Sequence, residues 1–490
     1  MLRLLNSWPA FVTVASVCLL LRLTPPWEIN HDVSCFLYAA DRVLDGEVLY
    51  RDFVDVNLPL VVYASMLPAW LARVAGGGFV LAFDLFVVAI VAASLVLSAR
   101  VARRGAVGFL AEPAALCVLV FALLVVPGRD FGQREHLMVV LSLPYLVTQV
   151  VRLGDSPPDR GSGWLVGAFA AVGFAFKPFF LIVPFCVALG MLLARRRFRP
   201  LAWPENLALL GGLTLYVAHF FLVPYRGEFV STMWQAWRGY GAYEVDIGEI
   251  FGHPWSQRAL WAGAALSVGA VFIRNARGPL WVLLSAWVGA IIGSLVQAKG
   301  WSYQLLPAVL FGWLGLAFVL GLKGWWRGLV APALLLAVAV PLGQHWLERD
   351  PESQALRGSS DYTGIPPALI EVRELGPGDS VVVLDTDMQT FFGWLVENRV
   401  QWASRFSCLW PVPGALLDTR LRRELVSAVV DDLQRYRPKL LYVRQSPVSF
   451  VPDPSFELVD WLREDLRFRE LLSEYVAAES VPGFSVWRKR

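Results

Sequence analysis

A polar segment near the N-terminus, between apolar runs, carries side chains that could do acid–base chemistry. Asp32 follows His31, and Asp52 and Asp55 come later in the same segment. A carboxylate can remove a proton from a hydroxyl group that lies within hydrogen-bond reach. We therefore predict Asp32 as a catalytic general base and His31, Asp52 and Asp55 as substrate-binding residues. The alternatives are that Asp32 only caps a helix and that Asp52 and Asp55 belong to turns or salt bridges.

A second polar cluster, residues 128–136, lies between two further apolar runs. Arg129 and Arg134 could hold a phosphate group, because the planar guanidinium matches the spacing of phosphate oxygens. Glu135 and His136 open the next apolar run, where they could orient those arginines or contact a sugar. The alternative is that these charged side chains only anchor helix ends at the membrane–water boundary.

Two of the chain's few lysines, Lys177 and Lys299, stand at the ends of apolar segments. A charge at such a position is costly unless it is paired or reaches water, so each lysine is a candidate for a functional role. An ammonium group suits a phosphate that loses its sugar during a reaction. Gln297, Trp301, Tyr303 and Gln304 add the hydrogen-bonding groups and aromatic faces common in sugar binding. Simple snorkelling of both lysines to the interface is the alternative.

The elements that position these side chains follow from the apolar pattern. Residues 33–44 have apolar side chains at helical spacing, which predicts a short helix at a membrane surface with Asp32 as its N-cap. The apolar positions of this helix are Phe36, Leu37, Ala40, Val43 and Leu44. The aromatic segment 225–258 is predicted to be a lid or lipid gate or, alternatively, an interfacial belt. Asp84, inside a predicted span, either faces a cavity or pairs with a neighbour.

The composition identifies the class of protein. Hydrophobic residues make up 56% of the chain and charged residues only 17%, whereas a soluble protein has about 25% charged residues. The net charge of +3 gives no reason to expect a nucleic-acid partner. The five cysteines form no CxxC pair, so they are interpreted as small hydrophobic residues, with a Cys35–Cys408 bridge as an open but disfavoured alternative.

Apolar runs of membrane-spanning length recur along the chain and predict an α-helical polytopic membrane protein with about 11 spans. The predicted spans are 8–24, 79–98, 107–126, 136–152, 164–176, 178–194, 206–224, 259–273, 279–296, 304–320 and 328–343. The run 59–74 is short and contains Pro59 and Pro68. It is therefore predicted to be a re-entrant or surface helix that closes the first loop.

Basic residues orient these spans, because arginine and lysine concentrate in cytoplasmic loops. With the first helix entering from the cytoplasm, every strongly basic turn faces inward. These inward residues are Arg3, Arg100, Arg103, Arg104, Arg152, Arg160, Arg195, Arg196, Arg197, Arg199, Arg274, Arg277, Lys323 and Arg327. The candidate site residues and the C-terminal tail then lie outside the cytoplasmic membrane.

The tail differs in composition from the rest, which predicts a transmembrane domain at 1–343 and a small extracytoplasmic α/β domain at 344–490. Residues 381–385, 440–443 and 484–487 have the pattern of buried strands, and 419–436 and 456–475 are amphipathic. No GxGxxG or GxxxxGK[ST] motif is present, so the sequence does not support nucleotide binding.

The first loop resembles that of membrane glycosyltransferases of the GT-C fold. Its motifs are HD-x-S-x-x-L-Y-A-A, beginning at His31, and G-x-x-L-Y-R-D-F-x-D-x-N-x-P-L, beginning at Gly46. They are similar in style to bacterial relatives of protein O-mannosyltransferases and lipid A aminoarabinose transferases. The resemblance implies a polyprenyl-phosphate sugar donor, inversion at the sugar, juxtamembrane helices after the first span, and Asp32 as the catalytic acid residue. The family's frequent acidic pair is replaced here by His31-Asp32, and an arginine early in the second span is absent.

The sequence thus predicts a multi-pass glycosyltransferase of the bacterial cytoplasmic membrane. It would transfer a hexose or pentose from a polyprenyl-phosphate donor to a hydroxyl of a lipid, glycan or protein acceptor outside the membrane. No cofactor is expected, and a divalent metal, although conceivable, is not supported by a motif. The alternatives are a flippase or transporter for lipid-linked glycans, and an oligosaccharide ligase or polymerase.

Overall fold

The computed structural model describes most of the chain, and its contacts divide the chain into two compact units. The described residues are 7–23, 29–76, 78–104, 110, 112–153, 160–196, 198–321, 365–478 and 480–490. The unit called here the helical unit comprises Met1–Trp27, Asp84–Phe221 and Val245–Asp350. The unit called the mixed unit comprises Glu28–Phe83, Leu222–Glu244 and Pro351–Arg490.

Helices make up most of the described chain, and we number them in chain order. They are α1 (Trp8–Leu23), α2 (His31–Leu44), α3 (Leu60–Ala75), α4 (Phe79–Arg104), α5 (Pro113–Leu124), α6 (Arg134–Leu153), α7 (Arg160–Ala175), α8 (Ile182–Arg195), α9 (Pro204–His219), α10 (Arg226–Gly239), α11 (Ile247–Gly252), α12 (Pro254–Phe272), α13 (Arg277–Gln297), α14 (Leu306–Gly321), α15 (Phe392–Glu397), α16 (Val412–Ala415), α17 (Thr419–Tyr436), α18 (Leu458–Arg463) and α19 (Leu466–Leu472).

Among the described residues, five helical segments are long and apolar enough to cross a membrane, as expected for a helical membrane protein. They are Phe79–Arg103, Arg134–Leu153, Pro178–Arg195, Arg274–Gln297 and Ser302–Gly321. Shorter apolar helices cover Trp8–Leu23, Leu60–Ala75, Pro113–Leu124 and Gly161–Ala175. The predicted total of about 11 spans stays a prediction, and the predicted span 328–343 lies outside the described residues.

Small residues let the helices of the helical unit approach closely. Every residue of α14 is buried. A Cβ built on Gly312 of α14 would lie 2.5 Å from the Cβ of Ala262 in α12, and one built on Gly289 of α13 would lie 2.6 Å from the Cα of Val183 in α8. Glycine is therefore required at both crossings, as is common where apolar helices pack without a hydrophobic driving force between them.

The mixed unit joins the first polar loop to the C-terminal sheet. The Ser34 hydroxyl on α2 donates to the carbonyl of Thr390 at 3.0 Å and accepts from the Gly393 amide at 2.8 Å. The Tyr38 hydroxyl accepts from the Trp402 amide at 2.9 Å. Hydrogen bonds between residues far apart in sequence thus hold α2 against the C-terminal tail within this unit.

The predicted C-terminal sheet is confirmed and has five strands. They are β1 (Ser380–Leu384), β2 (Gln401–Trp402), β3 (Leu440–Arg444), β4 (Tyr475–Ala477) and β5 (Phe484–Lys489), in the order β2-β1-β3-β5-β4. β2, β1 and β3 are parallel, whereas β5 is antiparallel to β3 and β4. β1 is buried along its whole length, which agrees with its three consecutive valines.

Some other predicted segments have boundaries or structures that differ from the observed elements. The predicted amphipathic stretch 419–436 coincides with α17, whereas 456–475 divides into α18 and α19. The segment 225–258, predicted as a loop, is largely helical because it contains α10, α11 and the start of α12. The run 59–74 forms α3, which ends at a left-handed Gly76. Whether α3 is re-entrant stays a prediction.

Candidate functional site

Lys177 lies at a break between two helices of the helical unit. Its backbone is extended, as expected for a residue that precedes a proline. The side chain is only 8% exposed, and Nζ donates a hydrogen bond to Glu135 Oε1 at 2.5 Å. The same ammonium group lies 5.1 Å from the centre of the Tyr303 ring. The structure therefore brings together residues from the second polar cluster, the lysine turn and the segment 297–304.

Two buried acceptor atoms in this group have no hydrogen-bond partner among the described residues. One is Oε2 of Glu135, and the other is Oε1 of Gln304. Gln304 donates through Nε2 to Oε1 of Gln297 at 3.2 Å, so its other end is the open one. Buried acceptors are nearly always satisfied in proteins. These two atoms can therefore receive hydrogen bonds from hydroxyl groups of a bound molecule.

The two arginines of the second cluster lie in different environments. Arg134 is buried, and its Nε donates to Oε1 of Gln133 at 3.3 Å. Arg129 is exposed. Only Arg134 therefore shares the dry surroundings of Glu135, its neighbour at the start of α6.

His136 is fully buried and uses both ring nitrogens on the backbone. Its Nδ1 accepts from the Gly132 amide at 3.0 Å, and its Nε2 lies 2.9 Å from the carbonyl oxygen of Leu123. A neutral imidazole has one donor and one acceptor nitrogen, so both are occupied here. These contacts fit a role in holding the turn before α6.

Lys299 is half-buried in a tight turn after α13. The residues on either side have left-handed backbone angles, with φ of 50° at Ala298 and 67° at Gly300. A non-glycine residue in this region is uncommon and marks a constrained segment. Trp301 is half-buried, and its ring lies 5.8 Å from that of Tyr303.

Asp84 pairs with a neighbour, which decides the question that the sequence left open. Nη2 of Arg22 lies 2.8 Å from Asp84 Oδ1 and 3.0 Å from Oδ2. Nη1 of Arg22 donates to the carbonyl of Gly128 at 3.0 Å, and the guanidinium stacks on Phe131 at 4.1 Å. The pair thus links α1 and α4 to the turn that precedes α6.

In the mixed unit, the prediction that Asp32 is the N-cap of its helix is wrong. The N-cap is Asn30, whose side chain accepts from the Asp32 amide at 2.8 Å, and α2 begins at His31. Capping therefore does not account for the Asp32 carboxylate, which is buried at 5% exposure. Nε2 of His31 lies 3.5 Å from Asp32 Oδ1. The sequence signal for this cap was Asn30 itself, because asparagine is a favoured N-cap residue.

Asp32 and Asp55 lie near the same buried thiol. Burial raises the pKa of Cys35 well above its usual value, and the negative charges of Asp55 and Asp32 raise it further. Cys408 also contributes to this shift, but both cysteines are free. Asp55 accepts from the amide and the side chain of Asn57, at 2.8 and 2.5 Å. Asp55 therefore shapes a turn close to the Asp32 region.

Asp52 makes the salt bridges that the sequence offered as an alternative to substrate binding. It lies 2.8 Å from Arg51 and 3.2 Å from Arg435, and it accepts from the Val48 amide at 3.0 Å. Burial would raise the pKa of Asp52, but these hydrogen bonds outweigh it and the pKa is lowered. The carboxylate is therefore stabilised in its charged form.

Two tryptophans of α10, Trp234 and Trp237, are 56% and 73% exposed, with ring centroids 4.8 Å apart. Exposed paired indoles are typical of residues at a membrane interface. Within the described part of the chain, no group of three or more histidine, cysteine, aspartate or glutamate residues could hold a metal ion.

Gln133 was not among the predicted site residues. Its signal was weak, because a glutamine at a helix start is common on protein surfaces. Only the structure shows that Gln133 is fully buried and accepts from the side chain of Arg134.

No family profile and no curated protein matches the chain. Among solved structures, the chain is similar to the crystal structure of an oligosaccharyltransferase from Archaeoglobus fulgidus tethered by a disulfide bond to an acceptor peptide containing the NVT sequon. The two share 11% identity with a TM-score of 0.42, over 98% of this chain and 73% of the other.

Proposed function

We propose that the chain is an integral-membrane glycosyltransferase that transfers a sugar from a polyprenyl-phosphate donor to an acceptor hydroxyl on the extracytoplasmic side. The observation that supports this most directly is the buried Lys177–Glu135 pair, together with the open acceptor oxygens of Glu135 and Gln304. The loop motifs that begin at His31 and Gly46 support the same activity by their resemblance to GT-C enzymes.

The donor would be held by the cluster around Lys177. An ammonium group among apolar helices attracts the phosphate of a lipid, which is the anion found in that environment. Together with Lys177, the cations Lys299, Arg134 and Arg129 would stabilise the negative charge of the phosphate as this group leaves the sugar. The open oxygens of Glu135 and Gln304 would accept hydrogen bonds from sugar hydroxyls, with Gln297, Trp301 and Tyr303 completing the sugar site. His136 would position the turn and would not touch the donor.

Asp32 would act as the general base. The acceptor oxygen forms a bond to the anomeric carbon while the bond from that carbon to the phosphate oxygen breaks. The acceptor proton passes to Asp32, and the electron pair leaves with the polyprenyl phosphate, whose charge the cations stabilise. Attack opposite to the leaving group inverts the anomeric carbon. His31 would orient the Asp32 carboxylate, and Asp52 and Asp55 would shape the acceptor side.

The direct test is a donor-release assay on the purified full chain in lipid nanodiscs, with a panel of polyprenyl-phosphate sugars and hydroxyl acceptors. We expect Asp32→Asn to lower transfer by about 10²–10⁴-fold, the usual contribution of a positioned base, while donor binding is retained. The matched control is Asp41→Asn on the same helix, since Asp41 is already paired with Arg73 at 2.5 Å. This control should retain wild-type transfer.

Several outcomes would contradict the proposal. Wild-type transfer by Asp32→Asn would remove its role as base. Movement of an intact lipid-linked glycan across a vesicle membrane, without sugar release, would support the transporter alternative. Transfer of a whole oligosaccharide would support a ligase or polymerase.

A separate experiment tests whether the C-terminal tail lies outside the cytoplasmic membrane. A single cysteine at the exposed Ser473, as Ser473→Cys in a chain without its five native cysteines, should react with a membrane-impermeant maleimide on intact cells. Labelling only after cell lysis would place the tail in the cytoplasm and would contradict an extracytoplasmic enzyme.

A further inference from the structure

A cavity of about 480 Å³ lies within the mixed unit. Its walls come from α10, from α17, from the segment 405–411 and from residues 50–54. This volume is in the range of pockets that hold small molecules. None of the residues predicted from the sequence as site residues lines it.

The cavity is lined by both hydrogen-bonding side chains and apolar side chains. Glu228 and Glu424 supply carboxylate acceptors, Gln235 supplies an amide, and Arg405 supplies a guanidinium. Nε of Arg405 donates to Asp432 Oδ1 at 2.9 Å, and its backbone amide donates to Oδ2 at 2.7 Å. Because Asp432 is buried and holds this guanidinium, Arg405 presents its remaining N–H groups in a fixed direction.

Tyr50 forms an aromatic wall that is held rigidly. Its φ of 65° lies in the left-handed region, which is rare for a bulky residue and is retained where surrounding structure imposes it. The hydroxyl donates to the carbonyl of Asn57 at 2.6 Å. The ring packs against Tyr225 and Phe229 at 5.5 and 5.1 Å. A flat, immobile ring suits the C–H face of a sugar.

The charges of the cavity disfavour an anion. Two carboxylates face it, but Glu424 is paired with Arg420 at 2.9 Å, just as the Arg405 guanidinium is paired with Asp432 at 2.8 Å. Among the described ion pairs, the lining charge that remains is the negative charge of Glu228. A phosphate would therefore meet net repulsion, whereas a neutral polyol can donate to the carboxylates and accept from the amide and the guanidinium.

One wall of the cavity is connected through the chain to the region of Asp32. Val54 lines it, and the Val54 amide donates to the carbonyl of Arg405 at 2.6 Å. The next residue, Asp55, lies near Cys35, as does Asp32. All these residues belong to one compact unit.

We infer that this cavity binds a neutral sugar and is the acceptor subsite of the transferase, so that the acceptor is the hydroxyl-bearing end of a glycan. This inference rests on the proposed function for its role, but the binding of a neutral sugar can be measured without transfer.

The experiment is saturation-transfer NMR and calorimetry on the full chain in nanodiscs, with maltose, cellobiose and lactose as neutral probes and with inorganic phosphate and tetralysine as charged probes. Gln235→Leu removes one hydrogen-bonding group, and Ala428→Phe fills the cavity, which Ala428 lines. We expect at least one disaccharide to bind and each variant to raise its Kd about tenfold or more, the effect of one lost buried hydrogen bond. The control Gln434→Leu, at an exposed position of α17 that does not line the cavity, should not change it.

The inference is overturned if no neutral disaccharide binds, if the cavity variants bind it as the control does, or if only phosphate or tetralysine binds. The two proposals fail separately. Sugar binding that depends on Gln235 in a chain with no transfer activity would contradict the proposed function and the acceptor role, but would leave the neutral-sugar site established. Transfer that is unaffected by both cavity variants would contradict the acceptor subsite alone.

Discussion

Two buried ion pairs stand at opposite ends of α6, and they differ in how completely they are satisfied. At the C-terminal end, Arg152 donates to both oxygens of Glu205, each at 2.9 Å. At the N-terminal end, Lys177 donates to one oxygen of Glu135, and the other oxygen has no partner among the described residues. The chemistry is similar, but only the second pair has capacity left for a ligand.

The surroundings of the two pairs agree with this difference. A Cβ built on Gly167 would lie 2.1 Å from the backbone oxygen of Glu205, so the Arg152–Glu205 end is closely packed. The guanidinium of Arg152 also lies 4.9 Å from the Trp203 ring. Lys177 instead faces Tyr303, which lies in the turn Ser302–Leu305 before α14. A closed pair of this kind stabilises a fold, whereas an open pair supports binding.

The largest effect is expected from the double substitution Lys177→Met with Glu135→Met. Replacing both partners leaves no unpaired buried charge, so the fold should be retained. Loss of the charge that stabilises the leaving phosphate should lower transfer about 10²-fold or more. Sugar-release rates and thermal unfolding of the same preparation measure both. Near-normal transfer in this variant would make the open pair a structural feature.

A substitution in the Arg152–Glu205 pair should lower stability and leave transfer unchanged. Glu205→Gln leaves the buried Arg152 without its charged partner and should destabilise the chain by about 3–5 kcal/mol. Transfer per folded molecule should stay close to wild type. Unfolding of purified protein in nanodiscs, with activity normalised to the folded fraction, tests this. If Glu205→Gln abolished transfer in folded protein, the distinction between the two pairs would be lost.

In the mixed unit, carboxylates with shifted pKa values should make the stability of the fold depend on pH. Burial and the nearby charge of Asp387 raise the pKa of Asp385 to about 6. A raised carboxyl pKa stabilises the fold below the unfolded pKa near 4, and that contribution is lost as the pH rises through 6. Asp385→Asn should therefore raise the free energy of unfolding at pH 8 by about 3 kcal/mol and leave it unchanged at pH 4, as measured by unfolding curves at the two pH values. Equal shifts at both values would contradict this.

The smallest effect belongs to Asp52, whose partners Arg51 and Arg435 are more than half exposed. Its pKa is lowered, so its contribution is present above the unfolded pKa and is lost as the pH falls through the folded one. Asp52→Asn should cost about 1 kcal/mol or less at pH 7, as for exposed ion pairs, and nothing at pH 2. Melting curves at the two values measure the difference. A larger loss at pH 2 would contradict the sign.

Much of the secondary structure was predictable from local pattern. The apolar spacing of residues 33–44 predicted most of α2, and the valine run at 381–383 predicted β1. Strong periodicity survives folding because a helix or strand must bury its apolar face whatever it packs against. The cap of α2 was missed, since Asn30 and Asp32 are both good capping residues and sequence spacing alone favoured the wrong one.

The candidate site was predictable only in part. Lys177, Glu135 and Tyr303 were each identified from their types, but from three separate segments. Their contact, and the unsatisfied oxygen that distinguishes Glu135 from Glu205, required the structure. The cavity beside Tyr50 had no sequence signal, because its walls come from stretches that lie far apart in the chain.

The sequence by itself determined the membrane class, the helices and the types of residue available for chemistry, because these depend on composition and on short-range spacing. The tertiary structure alone decided which charges meet, which are fully satisfied, and that α2 joins the C-terminal sheet in one unit. Long-range pairing depends on how buried surfaces and hydrogen bonds are shared among distant segments, and that information is not carried by any one of them.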